Sequence, residues 1–423
     1  MSEQFHGPFN RPIKRESRET SFGKYPLSLI PESLTISPNF EKIAFMVKSK
    51  SLLKTKVFLT INDQKFKPYD DLMEATPVFS PNSENVAYGA KRKRFGKERW
   101  FVVVNESEKK EYDGIGTGSL TFSPDSSRLA YPALKKKNGK KEWYLVVDGK
   151  ETGPYSEVNS FTFSPDSKKF CCYVGEKGKW LLQVDEKQGK KFDSIAAHKP
   201  VFSPDSSQFV YVAKENNQWQ VVLSDKDISR YDALDWSLRF SPDGKKLAFI
   251  ARQESGWSVV ENGAEVGRFE ALVVSPLVYS PDSKQFAYIA KNGSKTMVVL
   301  NGDQLRSYVN VIGGTLCFSP DSKHFAYVAQ NNAGKMFTVV DGQEGKPYEM
   351  ILSIGFSPDS RILAYTVKEQ GGSFMVINGD EGLRYDAFAL TPRFFFDPDN
   401  TIHYLCAKEL LISHIQEIIK LQD

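Results

Sequence analysis

Apolar residues in this chain come in short runs of four to seven, each closed by turn-forming residues, and not in stripes of helical period. The run from Tyr144 to Val147 is typical: polar lysine- and glycine-rich residues precede it, and Asp148-Gly149 closes it. Val, Phe, Tyr and Ile dominate these runs, as expected for strands. No stretch before residue 408 has a convincing helical period, so the pattern predicts an all-β chain.

The runs repeat. A Ser-Pro-Asp-Ser turn preceded by an aromatic residue recurs with its prolines at Pro38, Pro81, Pro124, Pro165, Pro204, Pro242, Pro281, Pro320, Pro358 and Pro398. The intervals run from 38 to 43 residues. Within each copy the order is the same: a run before the turn, a run after it, a polar stretch, a third run closed by Asp-Gly or Asn-Gly, and a fourth ending in a Tyr/Phe-acid pair such as Tyr69-Asp70 or Tyr112-Asp113. This predicts four strands per repeat, labelled a to d. Proline presets φ at the second position of a type I turn, and the Asp side chain bonds nearby amides. Asn-Gly and Asp-Gly supply the positive φ angles of a two-residue c-to-d hairpin.

Four-stranded units at about forty residues are the signature of a β-propeller. The ten copies of the turn, for example Phe122 to Asp125 and Phe356 to Asp359, resemble the WD40-like PD40 repeat of TolB-type propellers over about residues 22–418. The resemblance implies the fold and little about activity, since such repeats occur in scaffolds, periplasmic proteins and regulatory domains of peptidases. The spacing predicts about ten blades. A single ring is favoured over two five-bladed rings, because the intervals from Pro165 to Pro358 stay at 38–39 without an insertion. Residues 1–21 read as a basic N-terminal tail and 22–423 as the propeller. Residues 22–36 align with a d strand and the following a strand, whereas the last repeat stops after a c run at Leu410–Ile415. The N-terminus therefore holds a spare d strand that would close the last blade.

Composition changes the picture little. The chain of 423 residues has 56 Lys+Arg against 52 Asp+Glu, so no global field draws it to nucleic acid. The first twenty residues have no apolar core of a secretory signal, which makes a cytoplasmic location the expectation, and no run is long enough to span a membrane. Catalytic patterns are missing: there is no G-x-S-x-G elbow, no P-loop, and none of the five histidines stands at metal-ligand spacing. Cys171, Cys172, Cys317 and Cys406 occupy core positions. The turn aspartates, such as Asp125 and Asp321, each stand alone on their blade, and calcium needs six to eight converging oxygens, so they read as turn caps. No metal and no cofactor is expected.

One feature departs from the repeat average. The b-to-c loops of the first three repeats are long and basic: KSKSLLKTK (48–56), KRKRFGKER (91–99) and KKKNGKK (135–141), whereas later loops are short and nearly neutral. Lys91, Arg92, Lys93, Arg94, Lys97, Lys135, Lys136 and Lys137 would form a basic arc on the loop face. Beside it, Trp100, Trp143, Trp180, Trp219 and Trp257 share one position at the start of strand c. Lysine-rich hairpins are usually only solvated, and a tryptophan at a repeated strand position usually packs. Weighed against that, aromatic residues and arginine dominate binding hot spots. The sequence therefore reads as a non-catalytic interaction scaffold for an acidic protein segment, with no membrane partner. The alternatives are a hydrolase- or lactonase-type enzyme with its site in a central channel, and an electrostatic binder of nucleic acid.

Overall fold

The computed structural model describes residues 9, 12–24, 28–50, 55–196, 198–224, 226–235, 237–253, 256–272, 277–388, 394–408 and 411–422. Among them the chain is all-β, with 47 strands, and no helix is long and apolar enough to cross a membrane. The strands form consecutive antiparallel sheets of a β-propeller fold, each built in the order a-b-c-d, with strand a often broken into two short pieces that both pair with b.

The turns explain this regularity. In the third repeat the Ser126 amide donates to the Ser123 carbonyl at 2.8 Å, and Ser126 takes φ +66°. Ser123 Oγ donates to Asp125 Oδ1 at 2.6 Å and accepts from the Arg128 amide at 2.9 Å. The Ser127 amide donates to the same Asp125 oxygen at 3.0 Å, which is the capping role expected of this aspartate. At the c-to-d hairpin, Asp148 and Gly149 take φ +52° and +82°, and Asp148 Oδ1 accepts from the Leu129 amide at 3.0 Å. Both angles lie in the left-handed region that a type I′ turn requires.

Contacts divide the chain into two compact units: one holds Tyr25–Arg230, the other Met1–Lys24 with Tyr231–Asp423. In the first unit, apolar cores lie between successive sheets; Met46 and Leu59 of repeat one pack with Tyr88, Phe101 and Val103 of repeat two. The fourth residue of each turn ties the sheets as well. The amides of Asn82, Asp125 and Asp166 donate to Ser126, Ser167 and Ser206 Oγ of the next repeat, each at 3.0 Å.

The second unit uses the same device, from Asp243, Asp282 and Asp321 to Ser283, Ser322 and Ser360. Its last sheet is completed by Ile13–Lys24, which pairs with Leu411–Leu421 from Ile13 opposite Leu421 to Lys24 opposite Leu411. The closing strand thus lies mostly within 1–21, the stretch read as a tail; residues 1–8, 10 and 11 of that stretch are outside the described residues. Its register is held by Arg15, whose Nε lies 3.0 Å from Asp380 and Nη1 3.4 Å from Glu417. Glu417 is only 2% exposed, and its other oxygen accepts from Tyr404 at 2.5 Å. Residues 16–21 of this strand are polar and exposed on both faces and so have no hydrophobic period, which is why the sequence pattern starts the closing strand only at residue 22.

Candidate binding surface

The basic hairpins belong to the unit spanning Tyr25–Arg230. In repeat two, strand b (Val86–Arg94) and strand c (Lys97–Val104) run three pairs beyond Trp100, with Lys91 opposite Trp100, Arg92 opposite Arg99, Lys93 opposite Glu98 and Arg94 opposite Lys97. In repeat three (Leu129–Lys137 and Lys140–Val147), Lys135 faces Glu142, Lys136 faces Lys141 and Lys137 faces Lys140. The loop of repeat one contributes Lys48, Lys50 and Lys56, while 51–54 lie outside the described residues.

Aspartates of the Tyr/Phe-Asp pairs fasten neighbouring hairpins of this unit at Asp70, Asp113 and Asp193. Asp70 accepts from Lys56 Nζ of hairpin one at 2.7 Å and from the Lys93 amide of hairpin two at 2.8 Å. Asp113 accepts from Arg99 of hairpin two and from the Lys136 amide of hairpin three at 2.7 Å. Asp193 repeats the arrangement with Lys179 and the Asn216 amide. Hairpins one, two and three therefore stand side by side.

The tyrosine of the pair reaches the other way. Tyr69 donates to Glu108 at 3.0 Å and Tyr112 to Glu151 at 2.8 Å, each crossing to strand d of the next repeat. These glutamates collect cations from the predicted arc. Arg92 Nη2 lies 2.6 Å from Glu108 and Nη1 3.6 Å from Glu111, and Lys135 lies 2.5 Å from Glu151. The Arg92 hydrogen bond, with help from Lys67 and Tyr69, holds the Glu108 carboxyl at about 2 against its burial. Burial pushes Glu151 up, but Lys135, Lys110 and Tyr112 outweigh it and hold it at about 2 as well. Lys91 pairs with Asp71 at 3.1 Å and lies 5.3 Å from the Trp100 ring.

The structure thus sorts the predicted residues by depth. Arg92 and Lys135 sit in the hairpin stems and join the glutamates that latch neighbouring repeats, whereas Lys91 pairs within its own sheet with Asp71. Lys93, Arg94, Lys97, Lys136 and Lys137 are exposed toward the tips, and among the described residues the side chains of Arg94, Lys97, Lys136 and Lys137 have no carboxylate partner. The tryptophans stay in the stems: Trp100, Trp143, Trp180, Trp219 and Trp257 are all half-buried. Trp100, Trp143, Trp180 and Trp257 pack against the cores, while Lys214 and Arg252 lie over Trp219 and Trp257 at 5.4 and 5.8 Å.

One residue at the tip escaped the reading. Phe95 is fully exposed and takes φ +48°, followed by Gly96 at +76°. A bulky residue in the left-handed region is rare, and the corresponding turn of repeat three uses Asn138-Gly139 at +51° and +74°. The signal was present in KRKRFGKER, where Phe stands in the slot that hairpins three and five give to Asn138 and Asn216 and hairpin four to Lys177.

No family model and no curated protein matches the sequence. Among solved structures, the crystal structure of a eukaryotic initiation factor is similar at 12% identity and a TM-score of 0.45, over 75% of this chain and 87% of that one. TolB from Acinetobacter baumannii is similar at 14% identity and a TM-score of 0.30, over 78% and 79%. The dihydro-heme d1 dehydrogenase NirN is similar at 14% identity and a TM-score of 0.36, over 68% and 71%. Function is therefore read from this chain's own residues.

Proposed function

We propose that the protein is a non-catalytic scaffold that holds an acidic protein segment across the tips of its second and third basic hairpins. The observation that carries this reading is the cluster of Arg94, Lys97, Lys136 and Lys137 at neighbouring tips, without carboxylate partners among the described residues, beside the fully exposed Phe95. A cationic patch flanked by an aromatic side chain suits a flexible acidic chain, whose carboxylates meet the lysines while an apolar side chain covers the ring. The stem residues support the patch by fixing the two hairpins in register.

The test is binding of a fluorescein-labelled peptide of about twelve alternating Glu and Asp residues with one central Leu. Reversal of Arg94, Lys97, Lys136 and Lys137 to Glu is expected to weaken capture at least tenfold, about 1.4 kcal/mol. Thermal stability should change little, because the side chains of these residues belong to no latch, and Lys136 takes part in one only through its backbone amide. Capture by wild type should also fall as salt rises. Undiminished capture by the reversed protein would sink the proposal. Tighter binding of a single-stranded oligonucleotide than of the peptide would move the reading to nucleic acid.

A further inference from the structure

The two faces of hairpin two differ sharply. Side chains alternate across the ladder, so Lys91, Trp100, Lys93 and Glu98 share one face while Arg92, Arg99, Arg94 and Lys97 share the other. The first face is mixed in charge. The second stacks two like-charged pairs, Arg92 against Arg99 and Arg94 against Lys97, and like charges directly opposite destabilise a sheet. Hairpin three does not repeat this: Lys136–Lys141 and Lys137–Lys140 fall on opposite faces, and Lys135–Glu142 shares the face of the second pair.

On the cationic face, Arg92, Arg94, Lys97, Arg99 and Glu111 line an open cleft of about 190 Å³. Glu108 and Glu111 engage Arg92, and Asp113 engages Arg99, while Arg94 and Lys97 bring their charges to the cleft without a carboxylate partner among the described residues. Glu111 holds Arg92 only loosely, at 3.6 Å. It occupies the place an incoming anion would take.

We infer that this cleft is a phosphate site, which receives a phosphorylated side chain of the acidic segment; the inference rests on the function proposed above. Size favours a small group: a water takes about 30 Å³ of liquid volume, so the cleft holds a phosphoryl group and its hydration, whereas small-molecule pockets run to about 300 Å³ and more. Chemistry favours phosphate over carboxylate. Three guanidinium groups present planar forks that match phosphate oxygens, and a dianion balances two unpaired cations where a carboxylate balances one. Phe95, at the turn between Arg94 and Lys97, is placed to cover the residue next to the phosphorylated one.

Fluorescence anisotropy on the full chain tests this with two acidic peptides, identical except that a central serine is phosphorylated in one. Phosphorylation is expected to tighten binding to wild type about tenfold or more. The double variant Arg94→Gln, Lys97→Gln should bring the ratio of the two affinities close to one. The variant Lys136→Gln, Lys137→Gln should weaken both peptides and keep the ratio. If wild type binds both peptides equally, the phosphate site is wrong while the acidic-segment reading stands; if it binds neither, both fall. A phosphopeptide preference that survives Arg94→Gln, Lys97→Gln would also overturn the assignment, as would capture of phosphoinositide vesicles with no preference between the peptides.

Discussion

Hairpins two and nine share a register and differ in sign. One step from the tryptophan-type position, repeat two places Arg92 and repeat nine (Leu363–Glu369 and Gly372–Ile377) places Glu369. The residue before the tyrosine of the pair is reversed to match: Glu111 lies 3.6 Å from Arg92, and Arg384 lies 3.5 Å from Glu369. Repeats four and five follow the ninth, with Glu176 against Lys191 at 2.6 Å and Glu215 against Arg230 at 3.9 Å. Where this position carries an ion pair, the fold accepts either polarity, and repeats six and seven place Gln253 and Asn292 there instead. What hairpin two adds is length: its b strand has 9 residues against 7, and the two extra pairs are Lys93 with Glu98 and Arg94 with Lys97. Structure accounts for the stem, and only the extension is left for function.

The largest effect should come from breaking the stem pair of repeat two. The Arg92 side chain is 18% exposed and faces both Glu108 and Glu111, so Arg92→Glu brings three carboxylates together and should cost about 2–3 kcal/mol in urea unfolding. Adding Glu111→Arg should return about half of it, since Glu108 is left facing a carboxylate. The matching exchange in repeat nine, Glu369→Arg with Arg384→Glu, should stay within about 0.5 kcal/mol of wild type. A free choice of polarity is refuted if that exchange costs as much as Arg92→Glu.

Acid should sharpen the same contrast. Glu108 and Glu151 are held at about 2 by their cations, below the ordinary glutamate value of about 4.3. A lowered folded pKa stabilises the protein fully above the unfolded value, and that stability is lost as pH falls through the folded one. The wild type should thus lose about 2 kcal/mol per glutamate between about pH 4.5 and 2. Arg92→Gln should flatten the profile, because Glu108 then titrates closer to its ordinary value. An equally steep profile in the variant would detach Glu108 from Arg92.

These latches mark where the sequence stops being readable. Local chemistry was legible: Ser123 to Ser126 and Asp148-Gly149 form the turns their residue types dictate, because every partner lies within a few positions or in the paired strand. The Tyr-Asp pairs were visible as a pattern, but their work spans 39 residues from Tyr112 to Glu151 and 23 from Asp113 to Lys136, and no linear signal names the partner. The same gap grouped Arg92 and Lys135 with Arg94 and Lys136, although the first two are latched and the last two stand at the tips. The closing strand is expected at the N-terminus but begins at Ile13, before the residue 22 where the pattern places it, for another reason. It is recognised by Arg15 and by backbone pairing, neither of which leaves a hydrophobic period.

A small effect on stability, and the most telling in sign, belongs to Phe95. Hairpin three turns through Asn138-Gly139, the residues such a turn prefers, while hairpin two places Phe95 at φ +48° with its ring in solvent. A phenylalanine there gains no burial and keeps an unfavourable backbone angle, so the fold alone would not select it. Phe95→Asn should therefore raise stability by about 0.5–1 kcal/mol, read as a higher urea midpoint, while weakening capture of the acidic peptide. The two readouts must move in opposite directions. If stability rises and capture holds, the ring is idle and the tip lysines and arginine bind alone; if stability falls, the ring has packing at this tip that its full exposure denies.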